Sequence, residues 1–232
     1  MGVRVERHPQ FDDVYRVTFE DGSQRLATKN VAPGRIVYGE QLLNVEDVEY
    51  RLWDPFRSKL AAAVLKGLTH LPIQLGYKVL YLGAASGTTA SHVSDIVGEQ
   101  GLVYCVEFSP RSIRDLIDNV CKFRANMTPI LADARVPRKY SMLVGKVDAV
   151  YCDVAQPEQA RILVSNAELF LRKKGWAMLV VKARSIDVTE EPSEVYRREI
   201  GVLRENGFMI SEVIFLEPYD KAHATAVAQY SS

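Results

Sequence analysis

The chain has 232 residues, 47% of them hydrophobic and 25% charged, which allows one full α/β domain plus a small annex. Its 29 Lys and Arg balance 29 Asp and Glu, so it lacks the positive excess that lets a protein hold nucleic acid unaided. No apolar run approaches the ~20 residues needed to span a bilayer, and the N-terminal Arg4, Glu6, Arg7 and His8 lack a signal peptide's apolar core, so a cytoplasmic protein with no membrane partner is expected. Three widely spaced cysteines, Cys105, Cys121 and Cys152, indicate neither a disulfide framework nor a zinc site, and no metal site is expected among the four histidines.

Residues 1–52 differ from the rest. Residues 14–19 alternate in polarity, Asp21-Gly22 turns, and 24–28 return, which reads as a β-hairpin. A turn at Pro33-Gly34 and a strand over 35–38 complete the predicted small N-terminal β domain, with a larger α/β domain over 53–232. Pro55 suits a first helical turn, and Leu60, Ala61, Val64, Leu65 and Leu68 form the helix's packed face.

From Lys78 strand and helix alternate. Residues 79–82 are apolar and β-favouring, as in a buried parallel strand, and the strand breaks at Gly83. Small residues lead through Gly87 to Thr88, Thr89 and a helix carrying Val93, Ile96 and Val97. Strand, glycine turn and helix form the first half of a nucleotide-binding unit, where backbone approaches the ligand and the helix offers free N–H groups. The next strand, 102–106, ends in Glu107, at close to the spacing of about 20 residues expected of a carboxylate on a ribose diol. Ala85 stands where a dinucleotide fingerprint needs its middle glycine, so an adenosine ligand without a pyrophosphate fits better. S-adenosyl-L-methionine is the usual one, and hydride transfer is disfavoured.

A helix over 110–126 is capped by Ser109, a strand over 128–131 runs into Asp133-Ala134, and a strand over 147–152 runs into Asp153. A helix over 157–171 ends at Gly175, and a strand over 176–181 ends in Lys182. A helix over 192–206 and strands over 208–216 and 224–228 follow, the last two too close in sequence to be parallel. The expected fold is α/β: a Rossmann-like seven-stranded methyltransferase sheet ending in an antiparallel hairpin. Gly83, Glu107, Asp133, Asp153 and Lys182 then share its carboxyl edge, where ligands bind. Asp133 is either a helix cap or an acceptor for the adenine amine. Asp153 and Lys182 end adjacent strands, as a structural ion pair or as chemistry above the methyl group.

Six strings together resemble the fibrillarin family in its archaeal form: Trp53-Asp54-Pro55-Phe56-Arg57-Ser58-Lys59-Leu60, Tyr81 through Thr89, Val106-Glu107-Phe108-Ser109-Pro110-Arg111, Leu131-Ala132-Asp133-Ala134-Arg135, Tyr151-Cys152-Asp153-Val154-Ala155-Gln156-Pro157 and Val181-Lys182-Ala183-Arg184-Ser185-Ile186-Asp187. The resemblance is collinear over essentially the whole chain and lacks the glycine- and arginine-rich tail of eukaryotic forms. It implies ribose 2′-O-methylation of rRNA and tRNA within the box C/D guide ribonucleoprotein. The implied partners are a coiled-coil Nop-family scaffold, a kink-turn-binding ribosomal-type protein, the guide RNA and the target RNA. By the same resemblance the family's catalytic Lys-Asp-Lys-His tetrad falls on Lys59, Asp153, Lys182 and His223. Its cofactor contacts fall on Ala85, Thr88, Thr89, Glu107, Phe108, Asp133, Ala134, Asp153, Val154, Ala155 and Gln156. The family commonly places an acid just before the tetrad histidine, where this chain has Ala222. Two rival readings remain: a protein (glutamine) or small-molecule methyltransferase, and a non-catalytic assembly subunit with a vestigial cofactor site.

Overall fold

The computed structural model describes residues 2–231. Strands β1 (Arg4–Arg7), β2 (Tyr15–Thr18), β3 (Gln24–Lys29), β4 (Leu42–Val45) and β5 (Val48–Trp53) form an antiparallel sheet in the order β1-β2-β3-β5-β4. The Asp21-Gly22 turn joins β2 to β3 as expected, with the Ser23 N–H bonded to the Asp21 carboxylate. The strand expected over 35–38 is absent. That segment instead wraps around the Glu40 carboxylate, which accepts from the Val37 and Tyr38 N–H groups. The remaining strands are β4 and β5, turned at Glu46, whose φ is 54°.

Helix α1 spans Lys59–Leu65. Pro55 lies ahead of it, because Asp54 first closes a turn onto the Phe56 N–H and Ser58 then caps the helix. Next come β6 (Lys78–Leu82), α2 (Thr88–Val97), β7 (Leu102–Glu107), α3 (Pro110–Asn119) and β8 (Met127–Leu131). The helix expected to reach residue 126 stops at Asn119, and a 3-10 turn over Cys121–Phe123 leads Arg124 inward. After β9 (Val147–Cys152) and α4 (Gln159–Phe170), strand β10 spans Leu171–Lys182. It begins earlier than expected: Gly175 lies within it, at a register irregularity between Leu171 and Trp176, and does not end the helix. The short α5 (Ala183–Ile186), then α6 (Pro192–Glu205), β11 (Phe208–Phe215) and β12 (His223–Tyr230) complete the chain.

The second sheet has seven strands in the order β11-β12-β10-β9-β6-β7-β8, with β12 antiparallel to both neighbours and the other pairs parallel. Alternation along each strand feeds two cores. Leu80, Leu82, Val150 and Leu179 face α4 and α6, while Val79, Tyr81, Tyr151 and Val180 face the other way. That second core also takes Phe11, Val14, Leu26 and Trp53 from the N-terminal half, so the apolar interior runs unbroken between the sheets.

α2 lies between the sheets with every residue after Thr88 buried. Its apolar residues Val93, Ile96 and Val97 join the core, while His92 and Asp95 reach the N-terminal sheet. Arg51 of β5 pairs with Asp95 at 2.8 Å and with Glu40 at 2.6 Å; Arg124 pairs with Asp95 at 2.5 Å. The His92 ring bonds Thr28 and Tyr38 through its two nitrogens and stacks on Trp53 at 5.0 Å. Burial, then the Arg51 and Arg124 charges, hold the imidazole well below its ordinary pKa, so it is neutral. Two guanidinium groups and two carboxylates thus balance inside a buried seam.

Candidate active site

β6 is the strand from which the chain winds outward through β7 and β8 before reversing to β9 and β10. The crevice between the carboxyl ends of β6 and β9 is therefore the sheet's switch point, where open α/β sheets bind ligands. Gly83 leaves β6 at φ 82°, and a Cβ there would stand 2.8 Å from the Asp153 carbonyl oxygen. Only a glycine lets the two strand ends touch. Gly87 is constrained too: at φ 97° its missing Cβ leaves room for Leu116 and Val120 of the α3 region.

Glu107, 7% exposed, ends β7 and ties down both loops beside it: it accepts from the Ala85 N–H at 2.9 Å and the Ser109 N–H at 2.8 Å. A cleft of about 290 Å³ opens here. Gly83, Ala85, Glu107, Phe108, Ala134, Asp153, Val154, Ala155 and Gln156 line it, together with Lys182. Phe108 presents an exposed ring, and the buried Gln156 Oε1 has no hydrogen-bond partner among the described residues.

Three of the residues expected in this cleft are not among its lining. Thr88 is the half-buried first residue of α2. Thr89 is buried and donates to Ser58 Oγ at 3.0 Å, joining the cap of α1 to α2. Asp133 is turned to Arg135 at 2.7 Å; this hydrogen bond holds its carboxyl below the usual range. Val106, Ser109, Ser112 and Ala132 also line the cleft and were not foreseen, being small or apolar residues that carry no chemical signature.

At the cleft's rim the Asp153 carboxylate gives one oxygen to each of two lysines: Oδ1 lies 2.8 Å from Lys182 Nζ and Oδ2 3.3 Å from Lys59 Nζ. Lys182 Nζ also donates to the Asp153 carbonyl at 2.8 Å, and the Lys182 N–H donates to the buried Gln159 Oε1 at 2.9 Å. His223 opens β12 directly across from Lys182 in the antiparallel ladder. Lys59, Asp153 and Lys182 thus meet, and His223 is the cross-strand neighbour of Lys182.

A fifth group belongs with them. Asp220 Oδ1 lies 2.8 Å from His223 Nδ1 and Oδ2 3.9 Å from Lys59 Nζ. Burial alone would raise this carboxyl, but the hydrogen bond and charge of His223, with the two lysines, hold it below its ordinary range. The acid stands three residues before the histidine in this sequence, whereas the family resemblance places one immediately before it.

The fibrillarin family's sequence profile matches residues 5–232. A fibrillarin-like rRNA/tRNA 2′-O-methyltransferase of Pyrobaculum islandicum is 56% identical over 228 residues, 98% of this chain and 97% of that protein. The crystal structure of Aeropyrum pernix fibrillarin with natively bound S-adenosyl-L-methionine superposes with a TM-score of 0.92 at 55% identity, covering 98% of this chain and 99% of that one. Fibrillarin from a fibrillarin/Nop5p complex superposes at 0.79 with 44% identity, covering 89% of this chain and 93% of that one. The chain belongs to the fibrillarin family.

Proposed function

We propose that this protein transfers a methyl group from S-adenosyl-L-methionine to ribose 2′-hydroxyls of rRNA and tRNA, as the catalytic subunit of a box C/D guide ribonucleoprotein. The observation that carries the reading is the Lys59–Asp153–Lys182 cluster standing at the rim of the cleft anchored by Glu107. The cleft suits the cofactor. Its carboxylate and backbone lie at the end of β7, where a ribose diol would sit, and Gln156 holds an unused polar atom that an adenine edge could satisfy. When bound, the cofactor supplies a methyl group activated by a sulfonium charge.

The chain's own part is orientation. Asp153 fixes both lysines, so Lys182 meets the incoming 2′-oxygen with its remaining N–H and aligns it toward the cleft. Holding reactants in line can supply the largest share of the rate gain. The balanced formal charge supports a division of labour in which a guide RNA brings the target. The relative bound to Nop5p supports a Nop-family scaffold as partner, and we add a kink-turn-binding protein from the family resemblance.

The test is a methyl-transfer assay with the assembled particle: scaffold, kink-turn-binding protein, guide and target RNA, and labelled cofactor. Methyl on a ribose 2′-oxygen of the guide-paired nucleotide is the expected product. Methyl on protein, or none at all despite tight cofactor binding, would favour a rival.

A further inference from the structure

We propose that Asp220 positions His223 as the proton acceptor of the reaction, leaving Lys182 as the donor that holds the substrate oxygen. The inference rests on the methyltransferase reading and goes beyond it by dividing the chemistry between two side chains. It starts from the histidine's surroundings. Nδ1 lies 2.7 Å from the Lys221 carbonyl oxygen and 2.8 Å from Asp220 Oδ1. Both are acceptors, so Nδ1 carries the proton and Nε2 keeps its lone pair in the neutral ring. Nε2 makes no hydrogen bond among the described residues. Ala222, at φ 56°, turns the chain so that the Asp220 carboxylate comes back to the ring, and β12 pairs His223 with Lys182 on the neighbouring strand. Lys182 cannot take both parts so readily: its Nζ already donates to the Asp153 carbonyl and stands as an ammonium 2.8 Å from Asp153 Oδ1.

In the proposed step the 2′-oxygen forms a bond to the methyl carbon as the carbon–sulfur bond breaks, and that bond's electron pair stays on sulfur. The hydroxyl proton passes to His223 Nε2, giving an imidazolium whose Nδ1–H faces Asp220. Asp220 is therefore a positioning residue. It shares the Nδ1–H with the Lys221 carbonyl and stabilises the ring's charged form.

The charged groups around His223 are Asp220, Glu217 and Lys221 of its own loop, Lys59 of α1, Asp153 after β9 and Lys182 of β10; Tyr196 of α6 lies within electrostatic range of Asp220. Of these, Asp220 is the group in direct contact with the ring through a carboxylate.

Two measurements test the proposal on wild type, Asp220→Asn, Asp220→Glu and His223→Gln. The first is imidazole 15N NMR of the cofactor-free protein, which reads tautomer and titration without any turnover. The neutral wild-type ring is expected as the Nδ1–H form. The second is the single-turnover rate in the assembled particle against pH. Activity should rise with pH along a limb that Asp220→Asn shifts acidward and His223→Gln removes. The Asp220→Asn rate should fall ten- to a hundredfold at unchanged cofactor and RNA affinity, with partial rescue by Asp220→Glu. An Nε2–H tautomer, or an Asp220→Asn limb and rate matching wild type, would overturn the proposal. Absence of methylation by wild type would instead overturn the parent reading.

Discussion

Asp153 shows how much one side chain depends on its neighbours' backbone. Its carboxylate serves two lysines, while its carbonyl touches the place where a Gly83 Cβ would be and also accepts from Lys182. Replacing Lys182 by Ala removes the donor that meets the substrate, and of the cofactor cleft it loses one side chain at the rim and one bond to the Asp153 carbonyl. A loss of 10² to 10⁴ in single-turnover rate is expected, with cofactor affinity by calorimetry within a few-fold of wild type. Gly83→Ala acts from the opposite side: a Cβ at φ 82° is strained by about 1–2 kcal/mol, and it would displace the Asp153 carbonyl. Displacements of ~1 Å can cost about 100-fold in rate, so Gly83→Ala is expected to lower turnover at least tenfold and Tm by several degrees. At this scale the sequence was informative wherever a residue type is costly to place. A glycine at a strand end, an acid closing the next strand and a lysine closing a buried one all pointed to the rim. It was mute on Ser112 and Val106, which contribute only shape, and gave no sign that Thr89 turns to the buried Ser58 or Asp133 to Arg135 on the surface. Asp220 was missed because residues 217–222 carry no helical pattern, and outside a helix a three-residue offset brings an acid onto a histidine only through a turn, here with Ala222 left-handed.

Helix α2 is the element with most at stake, since its N-terminus borders the glycine turn and its outer face carries His92 and Asp95 into the seam. Asp95→Ala would leave Arg51 and Arg124 buried with too little opposing charge. Breaking a buried pair from one side costs about 3–5 kcal/mol, so urea unfolding should show a loss of that size with the slope unchanged. The seam also sets a pH response. His92 is neutral when folded and ordinary when unfolded, so its contribution is complete above the unfolded pKa near 6.5 and declines as pH falls below it, by about 1.4 kcal/mol per pH unit until the folded ring protonates. The slope of stability against pH between roughly 6.5 and 5 should therefore flatten in His92→Gln, the residue of the slope coming from His8 and His70, which burial also holds low. Glu40 adds a second loss at lower pH, as its depressed carboxyl is titrated. Strand and helix order from β6 onward could be read from periodicity because parallel strands are apolar on both faces. The β4–β5 hairpin was overlooked, since Leu42–Val45 and Val48–Trp53 alternate across a Glu46-Asp47 turn without the glycine that usually marks one. The end of α3 was equally illegible: beyond Asn119 the chain tightens into a 3-10 turn that carries Arg124 to Asp95, a contact far away in sequence.

Taken whole, the molecule is electrically balanced, with 29 cationic and 29 anionic side chains. A protein without positive excess gains little from counterion release. The isolated chain is expected to bind guide or target RNA with a Kd weaker than about 10⁻⁴ M at physiological salt, below the ~10⁻⁴ to 10⁻⁶ M of non-specific binding by ordinary nucleic-acid binders; gel-shift titration measures this. Tight binding by the chain alone would contradict a division of labour with the guide particle. The seam between the two sheets bears on how such a protein can change over time. Because Arg51 and Glu40 lie before residue 54 while Asp95 and Arg124 lie after it, a chimera spliced there from two homologues inherits half of one charge-matched lock and half of another. Such hybrids hold together only when both parents use the same four ions, so the leading segment and the catalytic body are bound to drift as a single heritable block.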